Sequence, residues 1–247
     1  MKKLLILILC CLCLNVKAQV DTINAQNGKL QLQNLKEGLR TYLVYTTDTL
    51  LQQRTVGDIW KRGTKLTSYQ GKPAVEFSWK WIMKDSVFAT VSNICDGKTL
   101  APIYHHATYK KMGKMATEYK DGFSVPIDSI KDNIGFKIGK IELGLPVLSW
   151  ELDLETYPLL PIKKVGQKFD IAWFDPNQRK PGAYHRYEVI GKDELSLNTD
   201  AKVKCWLLKT VHSKDNYAIF WLAEKSREVI KMEQHFKDSY RFKILQY

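Results

Sequence analysis

The stretch Val75 to Met83 constrains the fold more than any other, because apolar and polar side chains alternate along it. Val75, Phe77, Trp79, Trp81 and Met83 fall on one parity, Glu76, Ser78 and Lys80 on the other, with Ile82 as the exception. Successive side chains of an extended chain point to opposite faces, so a period of two predicts a strand with one wet face and one buried face.

The same pattern recurs between turn signals. Val87 to Cys95 ends at Asp96-Gly97, Ile103 to Lys110 ends near Met112-Gly113, and Met115 to Lys120 ends at Asp121-Gly122. Asp-Gly tolerates the positive φ that a tight hairpin demands. Phe169 to Phe174, Tyr184 to Ile190, Val203 to Val211, Tyr217 to Leu222, Glu228 to Gln234 and Ser239 to Leu245 continue the series; Thr41 to Thr46 and Thr55 to Lys61 precede it. The expected fold is mostly β, an antiparallel meander forming one strongly curved sheet or open barrel. One interval departs from it. Apolar residues at Val147, Trp150, Leu154 and Tyr157 follow a helical spacing that Pro158 and Pro161 stop, which predicts a single helix near 146–157. A lone amphipathic helix in such a chain covers the concave face or open end of the sheet.

The first 18 residues read as a leader. Lys2 and Lys3 precede an uninterrupted apolar run from Leu4 to Leu14, and Val16-Lys17-Ala18 places small side chains before a cleavage expected ahead of Gln19. The run is too short to span a bilayer, which takes about 20 apolar residues. The chain is therefore expected to be exported, to the periplasm or beyond, and not to be transmembrane. Cys10, Cys11 and Cys13 lack the small preceding residue that lipid attachment would need, so no anchor is expected. Behind the leader, residues 19–34 read as irregular and 35–247 as one β-rich domain.

Removing 18 of the 247 residues leaves 229 and takes away Lys2, Lys3 and Lys17 with no acid, so the net charge falls from +12 to +9. With export, no nucleic-acid partner is expected for that charge; the alternatives are an anionic lipid or polysaccharide of the envelope, or simply a solvated strand face. Cys95 and Cys205 remain. They form either one disulfide, as an oxidising compartment permits, or two separate buried thiols.

The second half carries a further signal. The segment Trp150 to Tyr157 leads into Leu159-Leu160-Pro161-Ile162-Lys163-Lys164-Val165-Gly166-Gln167-Lys168-Phe169, and Tyr217-Ala218-Ile219-Phe220-Trp221-Leu222 precedes a charged turn and Val229-Ile230-Lys231-Met232-Glu233. This order resembles a family of exported bacterial β-rich proteins described only by a domain of unknown function, with a fold similar to the lipoprotein carriers LolA and LolB. The resemblance spans residues 35–247 and implies a curved sheet with a helical lid. In the carriers such a sheet encloses a cavity for acyl chains. It implies no active-site residues.

No nucleophile elbow, phosphate-binding glycine loop or metalloprotease helix is present, and no cofactor is implied. His105 and His106 are adjacent, so on a strand they point to opposite faces and do not grip one ion; His185, His212 and His235 lack zinc-type spacing, and no metal site is expected. Glu151, Asp153 and Glu155 read most simply as the wet face of the helix. The aromatic supply points to binding. Phe77, Trp79, Trp81, Trp173 and Trp221 on strands, with Trp150 and Tyr157 as lid contacts, form either a packed core or the wall of an apolar pocket. The expected function is non-enzymatic binding of an apolar or anionic envelope ligand, a lipid or acyl chain. The rivals are a hydrolase of envelope polymers with its polar site around His105 or Glu151, and a scaffold within an envelope assembly.

Overall fold

A computed structural model describes residues 20–50, 52–55, 57–197 and 201–247. The leader, its cysteines and the expected cleavage before Gln19 lie outside the described residues. The first meander runs through β2 (Gly38–Asp48), β3 (Asp58–Tyr69), β4 (Lys72–Met83), β5 (Ser86–Asp96), β6 (Pro102–Tyr109), β7 (Gly113–Lys120), β8 (Phe123–Pro126) and β9 (Ile141–Glu142), after a short β1 (Val20–Ile23). The second runs through β11 (Lys168–Phe174), β12 (Ala183–Ser196), β13 (Lys202–Ser213), β14 (Asn216–Ala223), β15 (Val229–Phe236) and β16 (Ser239–Gln246), after β10 (Leu148–Ser149). The two become one sheet because β16 pairs antiparallel with β2, from Ser239 opposite Asp48 to Gln246 opposite Thr41.

Local chemistry explains the hairpins. Asp121 and Gly122 have φ of 53° and 78°, the doubly positive turn that matches strand twist. Ile82 departs from the alternation as a half-buried residue on the face opposite Trp81, and the bulge beside it lies on β5, where Phe88 is the extra residue between Val87 and Ala89. The N-terminal segment differs from expectation. Within residues 19–34, Val20–Ile23 is a strand, pairing in parallel with Lys168–Ile171, and Ile23 is fully buried. β1 and β10 lie end to end along the same edge of β11.

Strand pairing does not close the sheet; its order begins at β1 and ends at β9. Residues 143–146 stitch the gap instead. The Leu143 amide donates to Gly122 O at 2.8 Å, the Gly182 amide donates to Leu143 O at 2.9 Å, and the Ala25 amide donates to Pro146 O at 2.9 Å. Gly182 is required at this seam, since a Cβ there would lie 2.3 Å from Val147 Cγ1 and 3.1 Å from Leu143 O.

The predicted helix is shorter than its periodicity suggested. Leu148 and Ser149 pair with Trp173 and Phe174, and the helical part is a 3₁₀ turn (Trp150–Leu152), one α-helical turn (Asp153–Thr156) and a second 3₁₀ turn (Tyr157–Leu159). This plug lies inside the curl of the sheet. Leu152, Leu154, Tyr157, Leu159 and Leu160 are all buried, and the Tyr157 ring meets Phe220 of β14 at 4.6 Å and Tyr187 of β12 at 5.3 Å. Burying apolar side chains of this size contributes roughly 1.5–3 kcal/mol each. The disulfide weighed between Cys95 and Cys205 is not formed: the residues sit on β5 and β13 as free, buried thiols, and burial pushes both thiol pKa values up, which makes them inert packing groups.

Candidate functional site

At one end of the plug the concave face stays open as a groove of about 760 Å³, within the range of small-molecule sites. Its wall is built by register. Trp60 of β3 sits opposite Trp81 of β4 and Arg62 sits opposite Trp79, so all four share the inner face. Trp79 and Trp81 stack with centroids 5.9 Å apart and planes 5° from parallel, and Trp60 tilts onto Trp79 at 4.6 Å. Met115, Ile134 and Ile138 continue the apolar lining. Trp150, from the start of the plug, faces the wall.

A band of charge crosses beneath the aromatics. Arg62, 3% exposed, grips Glu155 of the plug through Nε–Oε1 at 2.8 Å and Nη2–Oε2 at 2.5 Å, and donates to Glu151 O. Burial opposes the guanidinium charge, yet Glu155 and Asp153 outweigh it and raise the Arg62 pKa. Asp153 is shared between Arg62 at 3.7 Å and Lys243 of β16 at 3.6 Å. Lys243 is 7% exposed; burial pulls its pKa down to about 8, with Asp153 only partly restoring it. The carboxylates expected on a wet face are therefore turned inward, because the sheet encloses the plug and each of the three meets a cation or a histidine.

Glu151 supplies the second polar knot. His105 Nε2 lies 3.0 Å from Glu151 Oε2, and the amides of Asn93 and Asn177 donate to the two carboxylate oxygens at 3.1 and 3.2 Å. Burial pushes the Glu151 carboxyl up, but His105 and the amides more than offset it and hold it below the ordinary value. His105 is fully buried. His106 points to the other face and is partly exposed, as adjacency on a strand requires. Among the described residues no cluster of three or more His, Cys, Asp or Glu side chains has metal-binding geometry.

The seven aromatics singled out in the sequence divide. Trp79, Trp81 and Trp150 line the groove together. Phe77, on the same face of β4, is buried in the core, as are Tyr157 and Trp173. Trp221 lies on the opposite face from Phe220, where its Nε1 donates to Asp193 at 2.8 Å and Lys231 covers its ring at 4.2 Å. Trp60, Arg62, Arg241 and Lys243 line the groove without having been singled out. Trp60 was visible in an expected strand, but pairing it with Trp81 takes the β3–β4 register.

Polar satisfaction in the groove is uneven. Trp81 Nε1 donates to Asp58 at 3.0 Å. Trp60 Nε1 and Trp79 Nε1 are buried without an acceptor among the described residues. A buried donor left unpaired costs about 1–3 kcal/mol.

A family model described as "Protein of unknown function (DUF3108)" matches residues 41–244. Among solved structures, the chain is similar to a β-barrel-like protein of domain of unknown function DUF1849 from Brucella abortus, at 11% identity over 85% of this chain and 97% of that one, with a TM-score of 0.50. That identity speaks to the fold alone. A DUF1329 family protein from Desulfovibrio piger ATCC 29098 is similar at 7% identity over 87% of this chain and 86% of that one, with a TM-score of 0.35. No curated protein matches the sequence. No helix among the described residues is long and apolar enough to cross a membrane.

Proposed function

The chain belongs to the DUF3108 family of proteins of unknown function, and from that premise we propose that it is a non-catalytic binding protein whose tryptophan-walled groove holds the apolar chain of an envelope lipid. The observation that carries this reading is the groove itself. The plug fills part of the curled sheet, but Trp79 and Trp81, only partly buried, line open space beside the enclosed Trp60. Aromatic side chains dominate interior packing wherever they are enclosed. A wall of them around an unfilled groove of this size suits an apolar ligand better than it suits stability. The leader expected at residues 1–18 would bring the protein to the compartment where such ligands occur.

Native mass spectrometry on protein purified without detergent tests the proposal. Bound species with acyl-chain masses are expected on the wild type and not on Ile138→Lys, which puts a charge on a half-buried part of the apolar lining. Wild-type protein that stays empty and takes up no palmitate on titration ends the proposal.

A further inference from the structure

We propose that the groove end formed by β3, β4 and β16 recognises an oxyanion, a carboxylate or phosphate, carried by its chain-bearing ligand, through Arg241 and the indole N–H groups of Trp60 and Trp79. The inference rests on the groove being the binding site and adds the chemistry of the head. The donors there outnumber the acceptors. The Arg241 guanidinium carries five N–H donors, lines the groove with its Cζ 5.1 Å from the Trp60 ring centroid, and makes no hydrogen bond or ion pair with any described residue. Trp60 Nε1 and Trp79 Nε1 are buried and equally unpartnered.

The neighbouring carboxylates Asp58 and Asp153 attract the Arg241 charge, but each already holds another donor. Asp58 Oδ2 accepts from Trp81 Nε1, Glu155 accepts from Arg62 at both oxygens, and Asp153 is divided between Arg62 and Lys243. Buried donors in folded proteins are nearly always paired, so donors that collect at one end of an open groove imply an acceptor from outside the chain. The guanidinium fork suits two oxygens of one planar or tetrahedral oxyanion. The wider lining agrees in sign. Arg62, Lys111, Lys137, Arg241 and Lys243 stand against three carboxylates, Glu151, Asp153 and Asp175. Lys243, with its ammonium 4.6 Å from the Trp60 ring centroid on the same strand as Arg241, adds charge beside the donor set.

The test uses the full chain, titrated by intrinsic tryptophan fluorescence with dodecyl phosphate, dodecanol and inorganic phosphate. Dodecyl phosphate should bind at least about tenfold more tightly than dodecanol, the difference that one charge-assisted fork supplies. Arg241→Met should bring the two to parity. Trp79→Phe, which keeps a ring and removes the N–H, should narrow the gap without abolishing dodecanol binding. Equal binding of phosphate ester and alcohol by the wild type overturns the oxyanion inference and leaves the groove reading standing. A preference that survives Arg241→Met also overturns it. Failure of both amphiphiles removes the groove reading, and the inference falls with it. Inorganic phosphate binding as tightly as dodecyl phosphate keeps the donor set and removes the apolar chain.

Discussion

Two aromatic clusters share the concave face, and they differ in what their polar atoms do. In the filled half, Tyr157 OH donates to Tyr187 OH at 3.1 Å, Trp173 Nε1 donates to the same oxygen at 3.1 Å, and Tyr42 OH donates to Val229 O at 3.0 Å. Each ring there is enclosed and each polar tip has a partner, which is how a core specifies one arrangement. In the open half, Trp79 and Trp81 are only partly buried beside an enclosed Trp60, and two of the three indole N–H groups have no acceptor among the described residues. Composition does not separate the clusters; satisfaction and enclosure do. A core that leaves donors unpaired loses stability, so the open half is where stability gives way to binding.

The Arg62–Glu155 pair holds the boundary between the halves, and breaking it should have the largest effect. Arg62→Met leaves the Glu155 carboxylate buried without its cation, a loss of about 3–5 kcal/mol in urea unfolding. Arg62→Met with Glu155→Leu should recover much of that, because the uncompensated charge is gone. A loss below about 1 kcal/mol in the single variant would show that the plug is held by its apolar side chains alone.

The next effect compares the halves directly. Trp173→Ala removes a ring that is 2% exposed and should cost about 3–5 kcal/mol, as large-to-small changes in filled cores do. Trp81→Ala removes a ring bordering the groove and should cost about 1–2 kcal/mol, since less of its surface is enclosed. Equal losses measured by thermal unfolding would mean that both halves are packed alike, and the comparison would collapse.

How much of this was legible in the sequence depended on how local the cause was. The alternation in Val75–Met83, the Asp121-Gly122 turn and the break in pattern near Trp150 are set by residues within one or two turns, and all three appear in the structure. The β16–β2 pairing and the parallel additions of β1 and β10 join residues far apart in the chain, so no local pattern announces them. The site follows the same rule. Trp79 and Trp81 declare their shared face by parity. Arg62, Arg241 and Lys243 look like solvated strand residues until register brings them under Trp60 and against the plug. Glu151, Asp153 and Glu155 misled for the same reason, because helical spacing says which residues share a face and not whether that face meets water.

The smallest effect tests the cation beside the donor set. Lys243 has its pKa lowered to about 8 from an ordinary 10.5, because burial outweighs Asp153 while Arg62 and Arg241 add repulsion. Below about pH 8 the lysine is charged in both folded and unfolded chains, and its burial penalty is constant. Between 8 and 10.5 the unfolded chain holds the proton that the folded chain has lost, so stability should rise with pH through that window. Lys243→Met removes the buried charge and should stabilise the protein by on the order of 1 kcal/mol at about pH 7, while weakening dodecyl phosphate binding. Urea unfolding of both proteins at about pH 7 and about pH 9.5 isolates the residue, because the other titrating groups are common to the pair. The gap between them should narrow at the higher pH. A gap that stays constant would place Lys243 among ordinary solvated lysines, and the open half would lose the buried cation that most separates it from the filled one.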